Sequence, residues 1–259
     1  MYLVDSHCHL DYAEPAERPA IIARARGAGV ETMLTIGTRL AEFAGVRAIA
    51  EGDPDIWCSV GVHPHEAAAE PDADAARLVA FADHPKVVGI GETGLDFYYD
   101  HSPRDRQAEL FRAHCAAARD TGLPLIVHTR DADPETAQIL AEERPPKGVI
   151  HCFSTGRDLA VAALDLGFFI SLSGIVTFKN AALLREIAKE LPLDRLLIET
   201  DAPYLAPVPL RGRTNEPAYI VHTAAAVAAL RGIPVEELAA RTAENFFRLF
   251  DKAARPRAG

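Results

Sequence analysis

Six residues of metal-ligating type sit at the ends of short apolar runs spread along the whole chain: His7, His9, Glu92, His128, His151 and Asp201. His7 and His9 flank Cys8, and in an extended segment residues two apart point to the same side. Both imidazoles can therefore enter one space while Cys8 faces away. Glu92 lies in Gly89-Ile90-Gly91-Glu92-Thr93-Gly94. Its small neighbours let the backbone approach closely, and a carboxylate has two oxygens with which to bridge two cations. His128 follows Leu125-Ile126-Val127, and His151 follows Gly148-Val149-Ile150. Asp201 ends the run Leu196-Leu197-Ile198-Glu199-Thr200, where a carboxylate can bind a metal or take a proton from activated water. Glu199, two residues earlier, would face the same side and orient a ligand or the water. Each position has an ordinary alternative, such as a chance His-x-His, a surface glutamate or a hydrogen-bonded core histidine. Six such positions sharing one face argue against packing as the explanation. Mixed imidazole and carboxylate ligands suit Zn²⁺, Mn²⁺ or Fe²⁺ better than Ca²⁺. A pair of such ions can clamp both the attacking and the leaving oxygen of a displacement.

Something must bring these residues together, and the hydrophobic pattern says what. Strand candidates are Tyr2–Val4, Thr32–Ile36, Trp57–Val62, Val87–Ile90, Leu125–His128, Gly148–His151, Phe168–Leu172 and Leu196–Glu199. Amphipathic stretches lie between them, among them Arg104–Thr121, Asp158–Leu166 and Asn180–Leu191, and Pro217–Arg231 and Pro234–Phe250 close the chain. Eight strands, each followed by a crossover, is the count for a closed α/β barrel of the (β/α)8 TIM type. The other arrangement of such units, an open doubly wound sheet, lacks its glycine-rich phosphate loop after strand one. In a barrel the candidate ligands fall at the C-terminal strand ends, as does His63 after strand three, and that is the face where barrel enzymes do their chemistry.

The chain has 259 residues, close to the ~250 that one barrel needs, so residues 1–259 are expected to form a single domain and a monomer. A net charge of −10 and a pI near 5.5 argue against a protein that coats nucleic acid by charge alone. They leave room for an enzyme that holds one or two phosphates through metal ions. Met1 leads directly into Tyr2-Leu3-Val4-Asp5 without a basic or long apolar stretch. The expectation is a cytoplasmic protein with no signal peptide and no membrane span. Cys8, Cys58, Cys115 and Cys152 show no paired spacing and are read as free thiols.

With these residues identified, a resemblance emerges. Val4-Asp5-Ser6-His7-Cys8-His9-Leu10-Asp11 resembles the opening motif of the TatD DNases. So do Gly61-Val62-His63-Pro64-His65, Gly91-Glu92-Thr93-Gly94-Leu95-Asp96-Phe97-Tyr98-Tyr99 and Pro124-Leu125-Ile126-Val127-His128-Thr129-Arg130. The likeness continues through His151-Cys152-Phe153, Ser173–Lys179, Glu199–Pro207 and Glu244-Asn245-Phe246-Phe247, and so covers nearly the whole chain in order. The resemblance implies two divalent ions, one held by His7, His9, Glu92 and Asp201 and the other by Glu92, His128 and His151. Zn, Mn, Mg or Fe are the candidates. It further implies a divalent-metal-dependent phosphodiester hydrolase, a deoxyribonuclease working from 3′ ends on short single-stranded DNA. Glu92 would bridge the ions, Asp201 would take the proton of the attacking water, and His63 would contact the scissile phosphate or its neighbour.

Arg130, Lys179, Arg211 and Arg213 fall in loops after strands and are candidate phosphate contacts. Arg213 is followed by Thr214, where the family commonly has a second basic residue. Tyr98 and Tyr99 are read as base-stacking or lid residues, and Asp96 as a loop-capping or ligand-orienting group. His84, His101, His114 and His222 receive a structural reading. The alternative function keeps the barrel and metals but changes the substrate to a small amide, lactone or phosphotriester, as in amidohydrolases. Many of those carry a carboxylated lysine where this chain has Glu92.

Overall fold

The computed structural model describes residues 1–255. Eight parallel strands follow one another in chain order: β1 (Leu3–Cys8), β2 (Val30–Thr35), β3 (Ile56–Val60), β4 (Val87–Asp96), β5 (Leu125–Arg130), β6 (Gly148–Ile150), β7 (Phe169–Leu172) and β8 (Leu196–Ile198). The first and last meet through a parallel bridge between Cys8 and Ala202. The Ser6 hydroxyl donates to the Ile198 carbonyl at 3.0 Å, and the Asp201 N–H donates to the His7 carbonyl at 2.9 Å. The result is a nearly closed barrel, as the strand count required.

Helices alternate with the strands: α1 (Arg18–Gly27), α2 (Phe43–Glu51), α3 (Ala75–Ala82), α4 (Arg104–Thr121), α5 (Asp133–Glu143), α6 (Arg157–Asp165), α7 (Ala182–Glu190), α8 (Ile220–Arg231) and α9 (Val235–Leu249). α4 shows why the sequence breaks where it does. Leu110, Phe111, His114, Cys115 and Ala118 repeat at helical spacing and are buried. Gly122, at φ +70°, ends the helix in the left-handed conformation that favours glycine.

The core forms two layers. Val4, Leu34, Val88, Ile126, Val149, Phe169 and Leu197 from seven strands cluster with Phe246 and Phe250 from the C-terminal segment, which plug one end of the barrel. Each fully buried phenylalanine contributes about 1.5–3 kcal/mol. Leu3, Met33, Ile56, Val87, Leu125 and Ile170 pack with the helix faces in the outer layer. Among the described residues no single helix is long and apolar enough to cross a membrane.

The strand ends differ from the sequence expectation in an instructive way. β1 runs through His7, and β4 continues past Glu92 to Asp96 rather than stopping at Ile90. The glycines around Glu92 suggest a stop, but they serve to admit the neighbouring strand. A Cβ on Gly91 would sit 2.5 Å from the Ile126 carbonyl oxygen, and one on Gly94 would collide with that of His128. Glu92 therefore projects from inside a strand, where the register shifts between Ile90 and Thr93.

Candidate metal centre

Glu92 is 2% exposed, and its two carboxylate oxygens face different partners. Oε2 lies 3.3 Å from His7 Nε2 and 3.9 Å from His9 Nε2. Oε1 lies 2.7 Å from His151 Nε2, 3.2 Å from His128 Nδ1 and 3.5 Å from His63 Nε2. Asp201 completes the first side, with Oδ1 3.5 Å from His9 Nε2 and 3.7 Å from His7 Nε2. Ligand atoms converge within 4.8 Å in three groups: His7, His9 and Asp201; His7, Glu92 and His151; and His63, Glu92 and His128.

Carboxylates behind the imidazoles fix which nitrogen faces inward. Asp96 Oδ2 takes a hydrogen bond from His128 Nε2 at 3.1 Å, which leaves Nδ1 as the lone-pair nitrogen toward Glu92. Glu199 Oε1 lies 3.3 Å from His151 Nδ1, so His151 presents Nε2. Carboxylate–imidazole pairs of this kind orient metal-binding histidines. His63 is different. Its Nδ1 accepts the His65 N–H at 3.1 Å, so in the neutral ring Nε2 carries the proton and is a donor, not a ligand. Burial and the imidazoles of His128 and His65, opposed by Glu92, hold the His63 pKa well below its ordinary value. The ring is neutral, and the third group does not make a third cation site.

A divalent cation fits the rest. His7 Nε2 and Glu92 Oε2 are buried and, although 3.3 Å apart, neither makes a hydrogen bond. His128 Nδ1 and His151 Nε2 lie 3.3 Å apart with their outer nitrogens already committed as donors. Two lone pairs would thus face each other unless a proton or cation lay between them. Burial works against protonating His151, but the Glu92 and Glu199 carboxylates prevail and raise its pKa well above normal. Asp96 and Glu92 likewise raise that of His128 against its burial. These are the protons that a bound cation would displace. Burial would push Glu92 up, yet the His151 imidazole above all, with the hydrogen bond from His128, holds it well below the usual carboxylate range. Asp201 is also lowered, by His9, His7 and His151 against burial.

Asp5, which sequence reasoning did not single out, ties the two ends of the barrel together beneath these ligands. It is fully buried and accepts the Thr200 N–H at 2.9 Å, the Thr200 hydroxyl at 2.5 Å and the His7 N–H at 3.3 Å. The available signal was a carboxylate two residues before the His-x-His. Asp201 sits on the turn so held, at φ +57°, and Cys152 and Leu205 are also left-handed, at +44° and +57°. Backbone in this region costs of order 1–3 kcal/mol per non-glycine residue and collects at functional sites.

The cluster floors a cavity of about 970 Å³. Arg130 lines it, with its guanidinium 4.0 Å over the Tyr98 ring and 4.7 Å from that of Tyr99. Lys179, Arg211 and Arg213 are exposed and lie outside the described lining; Arg211 instead covers Phe178 at 3.8 Å. Asp96 caps the loop, one of the two roles expected of it: its Oδ1 accepts the Tyr98 and Tyr99 N–H groups at 3.0 Å, while its Oδ2 meets His128. His114 is structural as expected, but His101 joins the lining and stacks on Tyr99. Tyr12 and Tyr204 line the cavity too, and sequence reasoning passed over both.

The family model described as TatD related DNase matches residues 4–251. Over 256 residues the chain is 45% identical to the uncharacterized metal-dependent hydrolase YcfH of Escherichia coli strain K12, covering 96% of each chain. Over 237 residues it is 40% identical to the 3′-5′ ssDNA/RNA exonuclease TatD of Klebsiella pneumoniae strain 342, covering 89% of this chain and 90% of that protein. Among solved structures it superposes on the TatD homolog YjjV of Escherichia coli K12 with a TM-score of 0.91 at 31% identity, covering 96% of this chain and 98% of that one.

Proposed function

The chain belongs to the TatD-related DNase family of metal-dependent hydrolases, and from that premise we propose that it hydrolyses phosphodiester bonds at the 3′ ends of single-stranded DNA. The observation that carries the reading is the division of Glu92, whose Oε2 faces His7 and His9 while Oε1 faces His128 and His151. One ion would be held by His7, His9, Asp201 and Glu92, and a second by Glu92, His128 and His151. When bound, two such ions lower the pKa of water and neutralise charge on the oxygens of an in-line displacement.

The side chains divide the remaining work. Asp201 is the most open carboxylate of the cluster, 13% exposed against 2% for Glu92 and none for Glu199. Anionic and facing the cavity, its carboxylate accepts the proton of the attacking water. His63, neutral with Nε2–H turned inward, donates to a phosphate oxygen, where it meets the charge that develops during attack. Asp96 and Glu199 keep His128 and His151 aimed. Arg130 takes a neighbouring phosphate at the cavity edge. The relative from Klebsiella is named for both ssDNA and RNA, so the substrate class extends to single-stranded RNA.

The test is hydrolysis of end-labelled single-stranded DNA and RNA by the Mn²⁺-loaded protein, beside a panel of lactones, amides and phosphotriesters. Stepwise shortening from the 3′ end, lost with Asp201→Asn, is the expected result. Turnover of the small-molecule panel with no loss of nucleotides would overturn the assignment.

A further inference from the structure

Tyr12, Tyr99 and Tyr204 line the cavity, Tyr98 packs against Tyr99, and the two pairs are not equivalent. Tyr98 and Tyr99 lie beneath the Arg130 guanidinium. Among the described residues no cation lies over Tyr12 or Tyr204. Tyr12 is 45% exposed and Tyr204 53%. Neither ring hangs loose. Tyr12 lies nearly parallel to the His9 imidazole, centroids 4.9 Å apart and planes 13° off, and its hydroxyl pairs with Thr38 Oγ1 at 3.2 Å. Tyr204 meets Tyr12 edge-on at 6.2 Å and His9 at 6.3 Å.

The backbone beneath Tyr204 is held as firmly. Its N–H donates to the Asp201 carbonyl at 2.9 Å, and its own carbonyl accepts from Asn215 Nδ2 at 2.6 Å. Asn215 is 3% exposed and also binds the Thr200 carbonyl at 2.9 Å. The backbone that carries the ring is thus pinned three residues from Asp201 by the same turn that carries that carboxylate. An aromatic surface facing water on a held backbone beside a charged site suits a ligand that has a flat π-face next to its anionic centre.

Resting on the phosphodiester reading above, we infer that Tyr204, braced by Tyr12, is the stacking platform for the unpaired base of a nucleotide adjoining the scissile phosphate. Stacking of this kind tolerates any base, because each has a π-face, and contributes without hydrogen-bond readout. A base inside a duplex has its faces covered by its stack neighbours. The platform therefore selects single-stranded ends, and a blunt duplex is a poor substrate until its end frays.

The experiment removes the ring and the base separately. Mn²⁺-loaded protein is assayed on a short single strand, and on the same strand with an abasic sugar on either side of the scissile bond. Tyr204→Leu should lower kcat/KM on the intact strand about 10- to 100-fold, and Tyr204→Phe, which keeps the ring, should restore most of it. One of the two abasic strands should lose a similar factor with the wild-type protein. The Tyr204→Leu protein acting on that abasic strand should lose little more than either change alone, since both delete the same contact. In Asp201→Asn, a 2-aminopurine placed at that position should be quenched on binding, and the quenching should be lost when Tyr204→Leu is added. Additive losses, or cleavage indifferent to the missing base, would overturn the platform while leaving the hydrolase standing. No cleavage of any nucleic acid by the wild-type protein would overturn both.

Discussion

Asp5 and Thr200 are 195 positions apart, yet the Asp5 carboxylate takes both the N–H and the hydroxyl of Thr200, at 2.9 and 2.5 Å. That contact fixes β1, which carries His7, against the turn that carries Asp201. The first prediction follows. Asp5→Ala should leave the barrel folded but weaken metal binding by about 10- to 100-fold, the range for residues behind metal ligands. Asp5→Asn keeps one acceptor and should lose less. Isothermal titration with Mn²⁺ or Zn²⁺ decides it, and unchanged affinity in a folded Asp5→Ala protein would remove Asp5 from the positioning role.

Glu92 and Asp201 should fail differently. Glu92 faces both ligand sets, so Glu92→Ala should reduce the stoichiometry or affinity of both ions together. Asp201→Asn keeps an oxygen donor but loses the basic carboxylate. Turnover should fall by ~10²-fold or more while much of the metal is retained. Metal analysis and steady-state rates on the same samples separate the two. Equal metal loss in both variants would make Asp201 a ligand only.

The barrel and the convergence of its candidate ligands were legible because strand-end polarity is a one-dimensional pattern. His7, His9, Glu92, His128, His151 and Asp201 each interrupt an apolar run, and parallel strands in chain order bring such interruptions to one mouth. What stayed hidden depended on long-range geometry. Asp5 reads as one more polar residue in a motif until Thr200 is beside it. The tautomer of His63 is set by a single backbone contact from His65. The basic loop residues could not be ranked either, since only packing shows that Arg130 reaches the cavity while Arg211 lies over Phe178.

His114 supplies a pH prediction remote from the ligands. It is fully buried, accepts the Val62 N–H at Nε2 (2.9 Å) and pairs through Nδ1 with the Leu110 carbonyl (2.7 Å). Burial, partly offset by the Leu110 bond, lowers its pKa from 6.5 to about 4. Because the folded value is depressed, the unfolded chain binds the proton first. The stabilisation is present above pH 6.5 and is lost as pH falls from there toward 4. The full shift corresponds to roughly 3 kcal/mol. Urea unfolding of the wild type should therefore weaken more between neutral and mildly acid pH than that of His114→Gln, which cannot titrate. Parallel pH curves for the two would show that His114 is not held neutral.

The last prediction concerns how a chain of net charge −10 grips a polyanion. Among the described residues Arg130 is the one lysine or arginine in the cavity lining. Its guanidinium face is spent on Tyr98 and Tyr99, but its N–H edges remain for phosphate. Each phosphate neutralised on a single strand adds roughly −0.7 to the slope of log affinity against log salt. Binding of a short strand to metal-loaded Asp201→Asn should therefore show a slope of about −0.7 to −1.4, for one or two contacts. Arg130→Ala should flatten it by about 0.7 and leave metal content unchanged, whereas Arg213→Ala, outside the cavity, should alter it little. Digestion should begin at an end and spare covalently closed circles. A slope several times steeper, or rapid cutting of closed circles, would require an extended basic track, and the basic residues outside the lining would then have to supply it.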